Sequence, residues 1–177
     1  MGLFGFFMGL GKSREAKMAI WILGRAPKHI AKMMTGSNEY WEACKRFPGR
    51  KAEIDDIAGA AFITNFFLYL LAEVGKEKWK EIYMNFALHT SSNLRNLVGD
   101  CIKSVLPSDV EVNDTNDRFG CAKWLYDTMQ IKGFIPMDFR GVVEREMGQH
   151  EFTNVFTDEC LTIGVDIISF KKKFLRL

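Results

Sequence analysis

The chain has 177 residues, of which 47% are hydrophobic and 26% charged, and its formal net charge is +2. These values are typical of one globular domain with a single sizeable core. No internal repeat or low-complexity segment is present, which excludes repeat and low-complexity proteins. The charge is unevenly distributed, with +7 over residues 1–51, −9 over residues 52–170 and +4 over the last seven. Either the basic ends and acidic middle attract each other in the fold, or the ends bind phosphates of lipid or nucleic acid.

The four cysteines carry no metal-binding or disulfide pattern. They are widely separated, without a CxxC pair, so we predict neither zinc nor any other metal or cofactor. Each lies beside apolar residues at helical spacing, where a free cysteine packs as a small core residue. Reduced thiols suit a cytoplasmic protein, which could also be peripheral to the membrane. The cysteines are Cys44, Cys101, Cys121 and Cys160.

The first twelve residues, MGLFGFFMGLGK, form a glycine- and phenylalanine-rich leader ahead of a single helical domain over residues 13–177. Basic residues follow the apolar part instead of preceding it, and Phe6 occupies the position where myristoylation requires Ser or Thr, so neither signal is predicted. The mixture resembles viral fusion peptides and other membrane-inserting N-termini. Burying each phenylalanine would contribute about 1.5 to 3 kcal/mol. The leader therefore docks on its own core or a sister subunit, or on a membrane or partner groove. The predicted binding residues are Leu3, Phe4, Phe6, Phe7, Lys12, Arg14 and Lys17.

Three short helices are predicted after the leader. Ser13 is placed to cap the first, Pro27 lies in the first turn of the second, and Ser37 opens a third that Pro48 closes. They carry most of the N-terminal basic charge. Aromatic rings interleave with that charge, so these helices either expose solvated lysines or stack on bases or a lipid interface. The interleaved residues are Trp21, His29, Tyr40 and Trp41.

The most apolar stretch, Ile54–Val74, reads IDDIAGAAFITNFFLYLLAEV. Acidic residues in its first turn and Gly75 at its end are typical of a helix. It is long enough to span a bilayer, but Asn65 lies at its middle and its flanks lack an excess of Lys and Arg. A helix that is apolar on nearly all sides is surrounded by other helices. We therefore predict a buried central helix.

A second helical region, residues 76–106, has an apolar stripe at three-and-four spacing that polar residues interrupt once. Gly75 predicts a tight turn and antiparallel packing against the central helix. The interruption is either a break, with Ser91 or Ser92 capping the next helix, or the lining of a small-ligand pocket. The pocket would comprise Asn65, His89, Thr90 and Asn93.

The remaining chain contains a loop and three further helical regions. The acidic loop SDVEVNDTNDR, residues 108–118, lacks the glycine and glutamate spacing of a calcium-binding EF-hand. A helix should follow and end at Gly133, and the segment MDFRGVVEREMG should form another. Residues 161–168 alternate like a strand, but the helical spacing of Ile163, Ile167 and Phe170 favours a helix.

The sequence therefore predicts an all-α protein, a compact bundle of about six to eight helices around the Ile54–Val74 helix. We expect a non-enzymatic interaction protein that docks through its apolar N-terminus and basic flanks on an anionic membrane surface or a protein partner. One alternative is a helical small-ligand receptor or enzyme with its site around His89. Another is nucleic-acid binding through the basic N-terminal helices. A homo-oligomer is compatible with each of these.

Overall fold

A computed structural model describes residues 13–106, 116–136 and 151–175. Eight α-helices and no β-strand occur within these ranges, which confirms the all-α prediction. A 3-10 turn, Pro48–Arg50, joins the third helix to the fourth, and one turn of π-helix, Lys171–Leu175, follows the last. The helices are α1 (Arg14–Leu23), α2 (Ala26–Gly36), α3 (Asn38–Arg46), α4 (Lys51–Val74), α5 (Lys76–His89), α6 (Ser92–Val105), α7 (Asn116–Ile131) and α8 (Glu151–Phe170).

Side chains that the sequence marks as caps begin three of the helices. The hydroxyl oxygens of Ser13, Ser37 and Ser91 accept hydrogen bonds from backbone N–H groups in the first turns of α1, α3 and α6. Helix α5 ends at His89, so the polar interruption is a helix break capped by Ser91, as the first of its two interpretations predicts. Gly75 ends α4 with φ of +77°, a conformation that favours glycine.

Helix α4 is the buried centre of the fold, as predicted. It packs against α2, α5, α6, α7 and α8. It begins at Lys51 instead of Ile54, because the 3-10 turn leads directly into it and Lys51 pairs with Asp55 one turn later. In the part of the chain that the structure describes, one stretch, Pro48–Val74, is long and apolar enough to cross a bilayer, with a mean hydropathy of 1.7. Within this stretch, 72% of the 18-residue apolar window is buried inside the fold.

Aromatic contacts fasten α5 to α4. The ring of Phe67 lies 5.2 to 6.1 Å from the rings of Trp79, Tyr83 and Phe86. The indole N–H of Trp79 also donates a hydrogen bond to the carbonyl oxygen of Phe67 at 2.8 Å. These contacts, together with the short turn at Gly75, give the helix pair that the sequence predicts. All four cysteines are buried and form no disulfide, also as predicted.

Helix α8 settles the ambiguous C-terminal stretch, since residues 161–168 are helical throughout. The β-branched residues there are accommodated because Ile163, Ile167 and Phe170 form one buried face against the bundle. The predictions for the leader, for residues 108–115 of the acidic loop and for the helix MDFRGVVEREMG over residues 137–148 lie outside the described residues.

Candidate functional site

A buried histidine joins helices α2 and α8. His29 is only 2% exposed, and each of its ring nitrogens faces a carboxylate. The Nδ1 atom lies 2.6 Å from Oε1 of Glu159, and Nε2 lies 3.1 Å from Oδ2 of Asp166. An ionised carboxylate can only accept hydrogen bonds. Whichever ring nitrogen carries a proton therefore donates to the carboxylate that it faces.

Further donors surround Glu159. The Nζ atom of Lys32 lies 3.0 Å from Oε2, and the hydroxyl of Thr162 lies 2.8 Å from Oε1. Burial raises the pKa of Glu159, but the hydrogen bonds from Lys32, His29 and Thr162 outweigh it. The pKa of this carboxyl consequently lies below its usual value, and the group is held ionised inside the protein.

The second carboxylate, Asp166, is flanked by two longer contacts. The Nε atom of Arg25 and the Nζ atom of Lys28 lie 3.8 and 3.9 Å from its Oδ1. These cations are partly exposed, whereas Asp166 is only 4% exposed. Basic residues of the N-terminal region thus neutralise acidic residues of the middle region. For this part of the chain, the mutual attraction predicted from the charge distribution is confirmed.

Apolar rings close the cluster from the bundle side. The imidazole of His29 stacks on Phe62 of α4 with 5.2 Å between ring centroids, and Phe62 packs against Phe156 of α8 at 4.6 Å. The cavity beside the imidazole measures about 10 Å³, which is room for one water molecule at most. No small-molecule substrate can reach the ring in this arrangement.

The chemistry open to this cluster is correspondingly limited. Its two carboxylates lie on opposite ring nitrogens, so the three groups do not converge on one point. Within the described ranges, no group of three His, Cys, Asp or Glu side chains could hold a metal ion. The nearest hydroxyl, that of Thr162, is engaged with Glu159. The cluster therefore clamps α2 to α8 and presents no accessible reacting atom.

The structure places the four residues of the predicted ligand pocket in different surroundings. Asn65 is fully buried in α4, where neither its Oδ1 nor its Nδ2 atom has a hydrogen-bond partner among the described residues. His89 Nδ1 lies 2.6 Å from the carbonyl oxygen of Asn85, within its own helix, and Thr90 lies in the turn after it. Asn93 is exposed and donates to Asp56 at 2.8 Å. In the described part of the chain, no hydrogen bond connects any two of the four.

A groove of about 300 Å³ runs between α2 and α4, close to Asn93. Its walls are mostly apolar, and Asp56 lies at one end. Burial raises the pKa of Asp56, an effect that the Asn93 amide partly offsets. Of the four predicted pocket residues, only Asn93 reaches this groove, through its bond to Asp56. The ligand pocket stays a prediction.

The two basic ends of the chain meet at Trp21. The Trp21 ring lies 5.5 Å from Phe170 and 6.3 Å from Phe174, so the end of α8 packs on α1. Cations accompany these rings. The guanidinium of Arg25 lies 4.3 Å from the centre of the Trp21 ring, and the Nζ atom of Lys173 lies 5.5 Å from that of Phe174.

Four exposed cations adjoin this contact. Arg14 and Lys17 share a face of α1 with Trp21, because residues three and four apart lie on one side of a helix. Lys172 and Lys173 flank Phe174 from the other end of the chain. In the part of the chain that the structure describes, none of the four forms an ion pair. We call the group the end patch; it consists of Arg14, Lys17, Trp21, Lys172, Lys173 and Phe174.

Of the seven predicted docking residues, the structure describes Arg14 and Lys17, which are both exposed. Leu3, Phe4, Phe6, Phe7 and Lys12 lie outside the described residues. The sequence reasoning missed Glu159 and Asp166. A usable signal was present, since both lie on the same face of α8 as Ile163, and a charge on an apolar helix face requires a buried partner.

Comparison with protein-family models, with curated proteins and with solved structures finds no match to this chain. Its function is therefore argued from the geometry alone.

Proposed function

We propose that this protein is a non-enzymatic interaction protein that docks on an anionic membrane surface through its apolar leader and the end patch. The observation that carries the proposal is the packing of Phe174 on Trp21, which gathers exposed cations from both ends of the chain in one place. The leader joins the chain directly before Ser13, about one helical turn from Arg14 and Lys17. Apolar and basic elements are thus adjacent.

The energetics favour this combination. Stable membrane attachment generally requires two signals, such as an apolar insertion and a basic patch. Each Lys or Arg near an anionic leaflet contributes about 1 kcal/mol, so four cations contribute at most about 4 kcal/mol. Burial of each leader phenylalanine would contribute about 1.5 to 3 kcal/mol. Neither element alone gives firm attachment, whereas the two together do.

Other cations of the basic ends do not contribute in this way. Arg25, Lys28 and Lys32 face the carboxylates of Glu159 and Asp166, and Lys171 pairs with Glu73. The four cations of the end patch, by contrast, are exposed and form no ion pair within the described part of the chain. An enzymatic role has less support, because the histidine with the strongest contacts, His29, is sealed and has both ring nitrogens engaged.

Cosedimentation with vesicles tests the proposal. The full chain is mixed with vesicles of phosphatidylcholine alone and of phosphatidylcholine with phosphatidylserine. We expect binding to the anionic vesicles, with loss of most binding in the double variants R14E/K17E and K172E/K173E. The matched control is K76E/K103E, which reverses two exposed lysines of α5 and α6 and should bind like the wild type.

Three outcomes would contradict the proposal. The first is absence of the wild-type chain from sedimented anionic vesicles. The second is equal loss of binding in the patch variants and the control, since binding would then follow net charge alone. The third is undiminished binding by a folded variant that lacks Met1 to Gly11, because the leader would then be dispensable. Salt-dependent retardation of generic DNA or RNA, without vesicle binding, would favour the nucleic-acid alternative.

A further inference from the structure

The outer face of α8 carries an apolar stripe that nothing in the described part of the chain covers. Leu161, Val165 and Ile168 are 56%, 63% and 54% exposed. Asp158 of α8 and Lys172 of the π-helical turn that follows α8, both also exposed, extend the stripe at its two ends. The five positions follow each other at intervals of three, four, three and four residues, which is the spacing of the contact seam in a coiled coil.

Charge determines how such a seam could pair with itself. The stripe is acidic at its beginning and basic at its end. In an antiparallel pair of α8 helices centred on Val165, Asp158 of each copy lies opposite Lys172 of the other. The apolar residues then face each other, Leu161 against Ile168 and Val165 against Val165. A parallel pair would instead place like charges opposite one another at both ends.

The backbone of α8 also leaves room for a close neighbour. Gly164 lies next to Val165, and a Cβ atom added there would meet no atom of the described residues within 4 Å. Packing inside the molecule therefore does not require glycine. In a helix interior glycine costs about 1 kcal/mol relative to alanine. A helix from another chain could approach this side of α8 closely.

We infer that a second copy of this chain covers the outer face of α8, as an antiparallel helix pair. The stripe from Asp158 to Lys172 is about 21 Å long at 1.5 Å per residue. An interface of one helix per subunit lies at the small end of the range for specific complexes. The dimer is therefore weak, and its population depends on protein concentration.

Sedimentation velocity over a range of concentrations, without lipid, tests this inference. The wild type should shift from monomer towards dimer as concentration rises. V165R should stay monomeric, because the two arginines would face each other at the centre of the seam. L88R is the matched control, since Leu88 is 72% exposed on α5, away from the stripe, and it should associate like the wild type.

Charge reversal distinguishes the two orientations. In the antiparallel pair, D158K and K172D each place like charges opposite one another, so each should weaken association several-fold. The double variant D158K/K172D restores opposite charges and should associate like the wild type. In a parallel pair, the two single variants would associate no more weakly than the wild type.

A wild-type chain that remains monomeric at every concentration would overturn the inference, as would a dimer that V165R leaves intact. Far-UV circular dichroism and urea unfolding establish that each variant is folded. Because the residues of the seam other than Lys172 lie outside the end patch, V165R should still bind anionic vesicles as a monomer. Failure of the dimer and failure of the membrane proposal are therefore distinguishable.

Discussion

The inner and outer faces of α8 each carry side chains that are unusual for the face on which they lie. The inner face buries two carboxylates, Glu159 and Asp166, while the outer face exposes Leu161, Val165 and Ile168. The inner charges are tolerable because a ring nitrogen of His29 lies within hydrogen-bond distance of one oxygen of each carboxylate. The outer apolar groups have no corresponding partner in the described part of the chain. The buried carboxylates, which have partners, indicate a structural role for the inner face. The exposed apolar side chains, which have none there, indicate that the outer face is a surface for another molecule.

The inner face also sets the position of α2 relative to α8. His29 can reach both Glu159 and Asp166 only because these residues are seven apart, two turns along the same side of α8. A shift by one residue would separate the carboxylates from the imidazole and leave buried charges unpaired. The outer stripe imposes no such constraint within the monomer, so substitutions there should affect association more than stability.

The largest expected effect is that of H29A. Removing the imidazole leaves two buried carboxylates without the partner that they share, and breaking a buried pair of this kind costs about 3 to 5 kcal/mol. Urea unfolding should show a corresponding loss in the free energy of unfolding. A change below about 1 kcal/mol, the size expected for a surface pair, would contradict the buried clamp.

The apolar triple variant H29L/E159L/D166L is the informative control. It removes all three groups together, and buried ion pairs replaced by well-packed apolar groups often cost nothing or even stabilise the fold. We therefore expect the triple variant to be more stable than H29A. If it is less stable, the cluster contributes more than the mutual neutralisation of its charges.

The second prediction concerns pH. The pKa of Glu159 is lowered in the folded state, so its ionised form stabilises the fold above the unfolded pKa of about 4.3. This contribution is lost as the pH falls through the lower, folded pKa. At neutral pH the free energy of unfolding of the wild type should be about 2 kcal/mol higher than that of E159Q. This is the size of a hydrogen bond to a charged group. The difference should shrink below about pH 4. Urea unfolding of both proteins across this range measures it, and a pH-independent difference would contradict the assignment.

The third prediction tests a buried polar group that lacks partners. Both polar atoms of the Asn65 side chain are buried and unpaired within the described residues, and such a group costs about 1 to 3 kcal/mol. N65L keeps a similar volume and removes both atoms, so it should raise the free energy of unfolding by about 1 to 2 kcal/mol. A destabilised N65L protein would mean that the amide is satisfied by a bound group, as the predicted ligand pocket requires.

Much of the fold was predictable because its signals are local. Ser13, Ser37 and Ser91 cap helices through bonds to residues three positions away, and Gly75 ends α4 through its own backbone conformation. Such features depend on a few consecutive residues, which the sequence displays directly. The length and uniform apolarity of the central helix likewise indicate burial without knowledge of its neighbours.

The clamp was not predictable to the same extent, because its partners are far apart in the chain. His29 and Glu159 are separated by 130 positions, and nothing in the spacing of either residue identifies the other. The sequence suggests only that charges on the apolar face of α8 need partners. The end patch was partly predictable, since Arg14 and Lys17 follow the leader. The contact of Trp21 with Phe174 depends on how the first and last helices pack.

The smallest expected effect is that of G164A on the outer face of α8, and G36A, at the contact of α2 with α8, is its matched contrast. At Gly164 an added Cβ meets open space, so G164A should stabilise the monomer by about 0.5 to 1 kcal/mol through helix propensity. At Gly36 the same atom would lie 2.9 Å from Cγ1 of Val155, a stiff side chain of α8. G36A should therefore destabilise the fold, by about 1 to 3 kcal/mol. Thermal or urea unfolding at low protein concentration gives both values. A stabilising effect of G164A together with a destabilising effect of G36A would show that the outer face of α8 is open in the monomer. A destabilising effect of G164A would mean that another part of the same chain already occupies that face.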